Sequence, residues 1–166
     1  MRGAILPIAA LLFAAPVFAQ DNGAVEDAAS QAPVRDGAWH SRQQLYLLGL
    51  EPQDGWYFID GGIRWKYLTY TASPKKPSVE DTVTVHYEGR LIDGTVFDSS
   101  YERGEPATFP LSRLIKGWQL AIPQIGVGEA IEVAIPSDLA YGPVGSGPIP
   151  GGATLVFKIE LLAIED

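Results

Sequence analysis

Three stretches of the chain alternate apolar and polar residues with a period of two, and this pattern narrows the fold to a sheet buried on one face. Val83, Val85 and Tyr87 fall on one side of a strand, with Thr82, Thr84 and His86 on the other. Ile131, Val133 and Ile135 repeat the pattern around an outward Glu132, and Leu155, Phe157, Ile159 and Leu161 repeat it around Lys158 and Glu160. One wet face and one apolar face is the signature of antiparallel strands. Two turn signals add pairings. Asp60-Gly61-Gly62 separates two aromatic runs between Trp56 and Leu68, and Asp93-Gly94 separates Leu91-Ile92 from Val96-Phe97, so each reads as a hairpin. One stretch has helical spacing. Ser112 is placed to cap it, Ile115, Trp118, Ile122 and Ile125 follow at i, i+3, i+7 and i+10, and Pro123 and Gly126 bound it. The pattern predicts an α+β fold, an antiparallel five- to six-stranded sheet wrapped around one short helix.

Composition removes several kinds of chemistry. The 166 residues carry 12 Lys and Arg against 20 Asp and Glu, a net charge of −8, and no basic run follows a phosphate backbone, so nucleic acid is not an expected partner. The absence of Cys excludes disulfides, thiolate nucleophiles and iron–sulfur clusters. Only two His, His40 and His86, are present, in regions with no evident structural relation, so no metal site and no cofactor is expected.

The N-terminal segment stands apart. Arg2 precedes a small and apolar run from Gly3 to Phe18 that closes on Val17-Phe18-Ala19, which reads as a signal peptide over residues 1–19, cut after Ala19. Retention as a membrane anchor is the weaker alternative: the run is shorter than the ~20 residues of a spanning helix, and Pro7 and Pro16 interrupt it. Residues 20–55 read as a flexible spacer. Gly23, Pro33 and Gly37 break its first part, and Leu45, Tyr46 and Leu48 allow one short helix between Trp39 and Leu50 that Gly49, Pro52 and Gly55 would end. That helix is expected either to dock on the following domain, residues 56–166, or only to cover some apolar surface.

Two long loops lie between the strands, Asp98 to Pro106 and Leu139 to Gly152. At this point the chain resembles a known family. Val85-His86-Tyr87-Glu88-Gly89, Asp93-Gly94-Thr95-Val96-Phe97-Asp98-Ser99-Ser100, Ile115-Lys116-Gly117-Trp118, Asp138-Leu139-Ala140-Tyr141-Gly142 and Ala153-Thr154-Leu155-Val156-Phe157 are similar, in order, to the signatures of FKBP-type peptidyl-prolyl cis–trans isomerases. The hairpin entry and Ser99 to Gly104 are most similar to bacterial secreted members of the macrophage-infectivity-potentiator group. That group usually carries a long helical dimerisation segment, for which the lead-in here is too short and too rich in breakers.

The resemblance implies a peptidyl-prolyl isomerase that binds proline-containing polypeptides and macrolide inhibitors. Its pocket would have Trp118 as floor and Tyr87, Phe97, Phe109, Leu114, Ile115, Tyr141, Ile149 and Phe157 as walls. The resemblance further implies that the Ile115 N–H and the Tyr141 hydroxyl meet carbonyls of the bound peptide. Tyr87, Phe97, Asp98 and Tyr141 are the residues it assigns to catalysis. Asp98 would stand beside the pocket, paired with Arg103, acting either on the twisting carbonyl or by holding the loop. Ala107 stands where many members have an aromatic, and the loop before Ile149 is one residue short of a well-known form, so the rim should differ. No metal or cofactor is implied.

Other residues read more plainly. His86 faces away from Tyr87 and is expected to be a hydrogen-bonded structural histidine, and Glu80, Asp81, Glu129 and Glu132 read as solubility charge. The expected function is isomerase action on exported proteins, in the periplasm or outside the cell and without membrane attachment after cleavage. A proline-binding adaptor or a periplasmic chaperone with little turnover is the alternative.

Overall fold

The computed structural model describes residues 35–165. The expected signal peptide, and the spacer as far as residue 34, lie outside the described residues.

The order of elements begins with helix α1 (Gly37–Leu48) and the hairpin strands β1 (Tyr57–Ile59) and β2 (Ile63–Thr69). β3 (Thr82–Leu91), β4 (Val96–Ser99), a one-turn helix α2 (Ser100–Arg103) and β5 (Ala107–Pro110) follow. Then come helix α3 (Lys116–Ala121), β6 (Ala130–Ile135), the small strands β7 (Gly145–Ser146) and β8 (Ile149–Pro150), and the long β9 (Leu155–Glu165). The main sheet is antiparallel in the order β1-β2-β6-β9-β3-β4, and β5 lies beside the other half of the same β3 edge. It therefore has seven strands in six positions, against the five to six expected. The extra strand is β5, four residues that carry no alternation of their own until they pair Val83 with Phe109 and Val85 with Ala107.

The strand faces read from the sequence are the faces observed. Val83, Val85, Ile131, Val133, Ile135, Leu155, Ile159 and Leu161 have no exposed surface, whereas Glu132, Lys158 and Glu160 lie on the opposite, partly exposed face. The β3–β9 ladder runs from Thr82↔Glu165 to Leu91↔Leu155 and joins the two halves of the sheet.

The helices differ from expectation in instructive ways. α3 ends at Ala121, and Ile122–Gln124 continue as a tight 3-10 turn around Pro123, yet Trp118, Ile122 and Ile125 are all buried. Helical spacing thus placed the apolar stripe correctly but overstated the length of the helix. Ser112 does not cap it. Ser112 sits in a 3-10 turn, and the Gln119 side-chain amide instead donates to the carbonyls of Ser112 and Leu114, tying that turn to α3. Gly37, expected to break a helix, opens α1: Asp36 Oδ1 accepts the Trp39 N–H at 2.8 Å, and a first-turn glycine forfeits no intrahelical bond. Ser99 caps α2 in a segment expected to be a loop, and Gly104 closes it.

Glu129 is the clearest correction. Far from being solubility charge, it is fully buried, and its carboxylate accepts the N–H groups of Thr71, Ser73 and Gly126 at 3.0, 3.3 and 2.8 Å. Burial opposes the charge. The three amide bonds and nearby Lys76 outweigh it, so the carboxyl lies below its ordinary range.

Candidate functional site

α3 approaches the sheet closely at Gly117, where a Cβ would stand 2.4 Å from Cγ2 of Ile135. Glycine there lets the helix sit down on β6. The next residue, Trp118, is thereby pressed between Tyr87 of β3 and Phe157 of β9, each with ring centroids 5.3 Å from the indole and nearly perpendicular to it. Gly89 has the same use on the neighbouring strand. A Cβ on it would stand 2.6 Å from the Phe97 ring and 2.8 Å from Phe157, so the bare backbone leaves room for these two rings to meet edge to face at 5.7 Å.

These rings enclose a pocket of about 240 Å³ lined by Tyr87, Phe97, Asp98, Phe109, Leu114, Ile115, Trp118, Tyr141 and Phe157. Arg103 joins it through Asp98, whereas Ile149, carried by β8 within the long loop, is buried in the same core cluster and is not among the lining residues. Trp118 is buried, and among the described residues its indole N–H meets no acceptor. Ile115 caps α3, and among the described residues its N–H is bonded to no backbone carbonyl. Tyr141 is 40% exposed, with its hydroxyl unbonded among the described residues. Both groups thus have donors to offer a guest.

One wall is polar and internally satisfied. The Tyr87 hydroxyl donates to Asp98 Oδ2 at 2.5 Å, the Arg103 guanidinium pairs with Asp98 Oδ1, and Arg103 also donates to the Tyr87 oxygen at 3.0 Å. Burial alone would raise the Asp98 carboxyl. The bonds from Tyr87 and Arg103 outweigh burial and hold it below the ordinary value, while burial and the bond to Asp98 raise the Tyr87 hydroxyl. Near neutral pH the wall is therefore an aspartate anion flanked by a neutral phenol and a guanidinium.

Ser100 is a residue for which sequence reasoning named no part. Fully buried, its Oγ accepts the Tyr87 N–H at 2.7 Å, donates to the Tyr87 carbonyl at 3.1 Å and bonds His86 Nδ1 at 2.9 Å, fixing the backbone that carries Tyr87. The Ser99-Ser100 pair after Asp98 was its only trace in the sequence. His86 has the structural setting expected of it, stacked on Tyr101 with ring centroids 4.7 Å apart. No histidine, serine or lysine is among the lining residues; Asp98 and the Tyr87 hydroxyl are bonded to each other and to Arg103, which leaves a mostly apolar cavity with one charged wall.

The site is an aromatic box built on a sheet wrapped over one short helix. The sequence pattern of the FKBP-type peptidyl-prolyl cis-trans isomerases matches residues 73–162, and the chain belongs to that family. It is 45% identical over 120 residues to the FKBP-type peptidyl-prolyl cis-trans isomerase FkpA of Aeromonas hydrophila, covering 72% of this chain and 44% of that protein. It is 42% identical over 125 residues to the peptidyl-prolyl cis-trans isomerase Mip of Coxiella burnetii, covering 75% and 54%. Among solved structures, a peptidyl-prolyl cis-trans isomerase of Pseudomonas syringae superposes with a TM-score of 0.71 at 34% identity, over 82% of this chain and 99% of that one. FkpA of Escherichia coli superposes with a TM-score of 0.72 at 37% identity, over 75% and 58%. The chain spans about half the length of the curated relatives it matches.

Proposed function

We propose that this protein is a peptidyl-prolyl cis–trans isomerase, and that the pocket over Trp118 receives the proline ring. The observation that carries this reading is the pocket itself: aromatic rings set edge to face around a buried indole, with free donors at its rim and one charged wall. At about 240 Å³ it lies below the ~300–1,000 Å³ of sites for drug-sized ligands and suits one ring with its flanking bonds.

The reaction asks for little more. Rotation about an amide C–N bond faces a barrier of about 18–20 kcal/mol because the planar amide is resonance-stabilised and charge-separated. The twisted amide has lost that separation, so a dry apolar pocket favours it over the planar form that water solvates better. Rigid rings grip the pyrrolidine, and the Ile115 N–H and Tyr141 hydroxyl hold the flanking backbone. Asp98, kept charged by Tyr87 and Arg103, faces the twisting carbonyl and fixes the loop at once. Nuclear magnetic resonance exchange spectroscopy on short X-Pro peptides should show accelerated interconversion; no acceleration across a panel of residues before Pro, in folded protein, would remove the enzyme reading.

The same proposal places the substrates among exported polypeptides, in the periplasm or outside the cell, and includes macrolide inhibitors as ligands of the same pocket. Export rests on the Arg2-to-Ala19 pattern. Mass spectrometry of the native protein should find a chain beginning at Gln20 or within a few residues of it, and a purified chain that retains Met1 would contradict export by this route.

A further inference from the structure

Helix α1 lies outside the matched family region, yet it meets the domain at one place that matters for the pocket. The long loop leaves β6 after Ile135 and returns to the sheet at Leu155. It carries Tyr141 to the pocket rim and folds on itself as the β7–β8 hairpin. Its base is closed by one backbone bond, Gly152 N–H to Gly142 carbonyl at 2.8 Å, directly beside Tyr141. α1 bears on the returning limb at Gly152 and again at Thr154. A Cβ on Gly152 would stand 3.1 Å from His40 Nε2 and 3.3 Å from the Trp39 ring. Two residues on, Gln43 Oε1 accepts the Thr154 N–H at 2.9 Å, and the Thr154 hydroxyl donates to the Gln43 carbonyl at 3.4 Å. Gln43 and Thr154 are 7% and 2% exposed, so water does not substitute readily for either partner.

We propose that Gln43 is a positioning residue for the isomerase site, clamping Gly152 to Thr154 from the outside and so fixing Tyr141 at the pocket rim and the start of the strand that carries Phe157. The inference rests on the isomerase reading of that pocket. An amphipathic helix that merely covered apolar surface would need Trp39 and would be indifferent to a buried amide. Here the buried amide caps a backbone donor of the limb itself. The Tyr141 side chain is 40% exposed and its hydroxyl is unbonded among the described residues, so its position follows from backbone bonds around it: Gly145 N–H to the Tyr141 carbonyl at 3.2 Å, Gly142 N–H to the Ser137 carbonyl at 2.8 Å, and the Gly152–Gly142 closure that α1 backs.

The test uses the full chain with Gln43→Ala and Gln43→Glu, the second keeping the acceptor for Thr154. Gln43→Ala is expected to raise KM for an X-Pro peptide about tenfold, with a smaller change in kcat, because a displaced Tyr141 weakens ground-state and transition-state binding alike. Amide hydrogen exchange over residues 142–154 should rise with it, and Gln43→Glu should restore both to within about threefold of the parent. A Leu161→Val variant supplies a core change that lowers melting temperature without touching the clamp, and it should leave loop exchange near that of the parent. If Gln43→Ala loses thermal stability but keeps the parental KM and loop protection, the helix is only a cover and the inference is overturned. If the parent does not accelerate exchange, the isomerase reading fails instead, and loop protection in Gln43→Ala still decides whether the clamp exists.

Discussion

Leu155→Ala is expected to cost about 2–5 kcal/mol of unfolding free energy, while Phe97→Ala costs only about 1–2 kcal/mol yet lowers isomerase efficiency some 10- to 100-fold. Leu155 has no exposed surface and is paired between Leu91 and Ile135, so truncation leaves a cavity that neighbouring strands cannot collapse into. Phe97 stands on the edge strand β4 with one face on Phe157 and the other on the pocket, where the space it vacates opens to water. Denaturant unfolding and catalysed exchange on the same preparations separate the two effects. Equal losses of both properties in both variants would mean that the aromatic wall is core and not site.

Glu129→Gln should cost about 2–4 kcal/mol at neutral pH, since the amide NH₂ meets one of the backbone donors that the carboxylate now accepts. The pH dependence has a definite sign. The folded-state carboxyl lies below its ordinary value, so its contribution to stability is complete above the unfolded value of about 4.3 and is lost as pH falls through the folded value. The difference between parent and Glu129→Gln should therefore shrink in acid, below about pH 4. A difference that stays constant from pH 7 to pH 3 would show that the charge is not what holds Thr71, Ser73 and Gly126.

The contrast between these residues shows what was legible in the sequence. Strand faces were, because a period of two survives in Val83-Val85-Tyr87 and Leu155-Phe157-Ile159 whatever the strands pair with. The pocket was, through the ordered motifs: every lining side chain was named, and Ile149, named with them, is buried without lining it. Glu129 was not: its burial depends on Thr71 and Ser73, more than fifty residues away, and a lone acidic residue in a turn looks like any surface charge. The four-residue elements α2 and β5 escaped for a similar reason. They are shorter than the window over which periodicity can be read, and tertiary bonds, not propensity, make them. Gln43 lies on a short helix for which the sequence left docking and mere cover as alternatives, and only its bond to Thr154 shows what it holds.

The proposed function requires a prolyl ring to rest on Trp118. The most direct test is a fluorescence titration of the parent and of Trp118→Leu, each shown folded by circular dichroism, with a proline-containing peptide or a macrolide. Trp39, Trp56 and Trp65 lie in α1 and around the first hairpin, none of them lining the pocket, so the signal belongs to Trp118. A saturable change is expected in the parent and its abolition in Trp118→Leu, with affinity reduced at least about tenfold because the rigid floor is gone. An unchanged response and an unchanged affinity in folded Trp118→Leu would place the ligand elsewhere and contradict the pocket assignment.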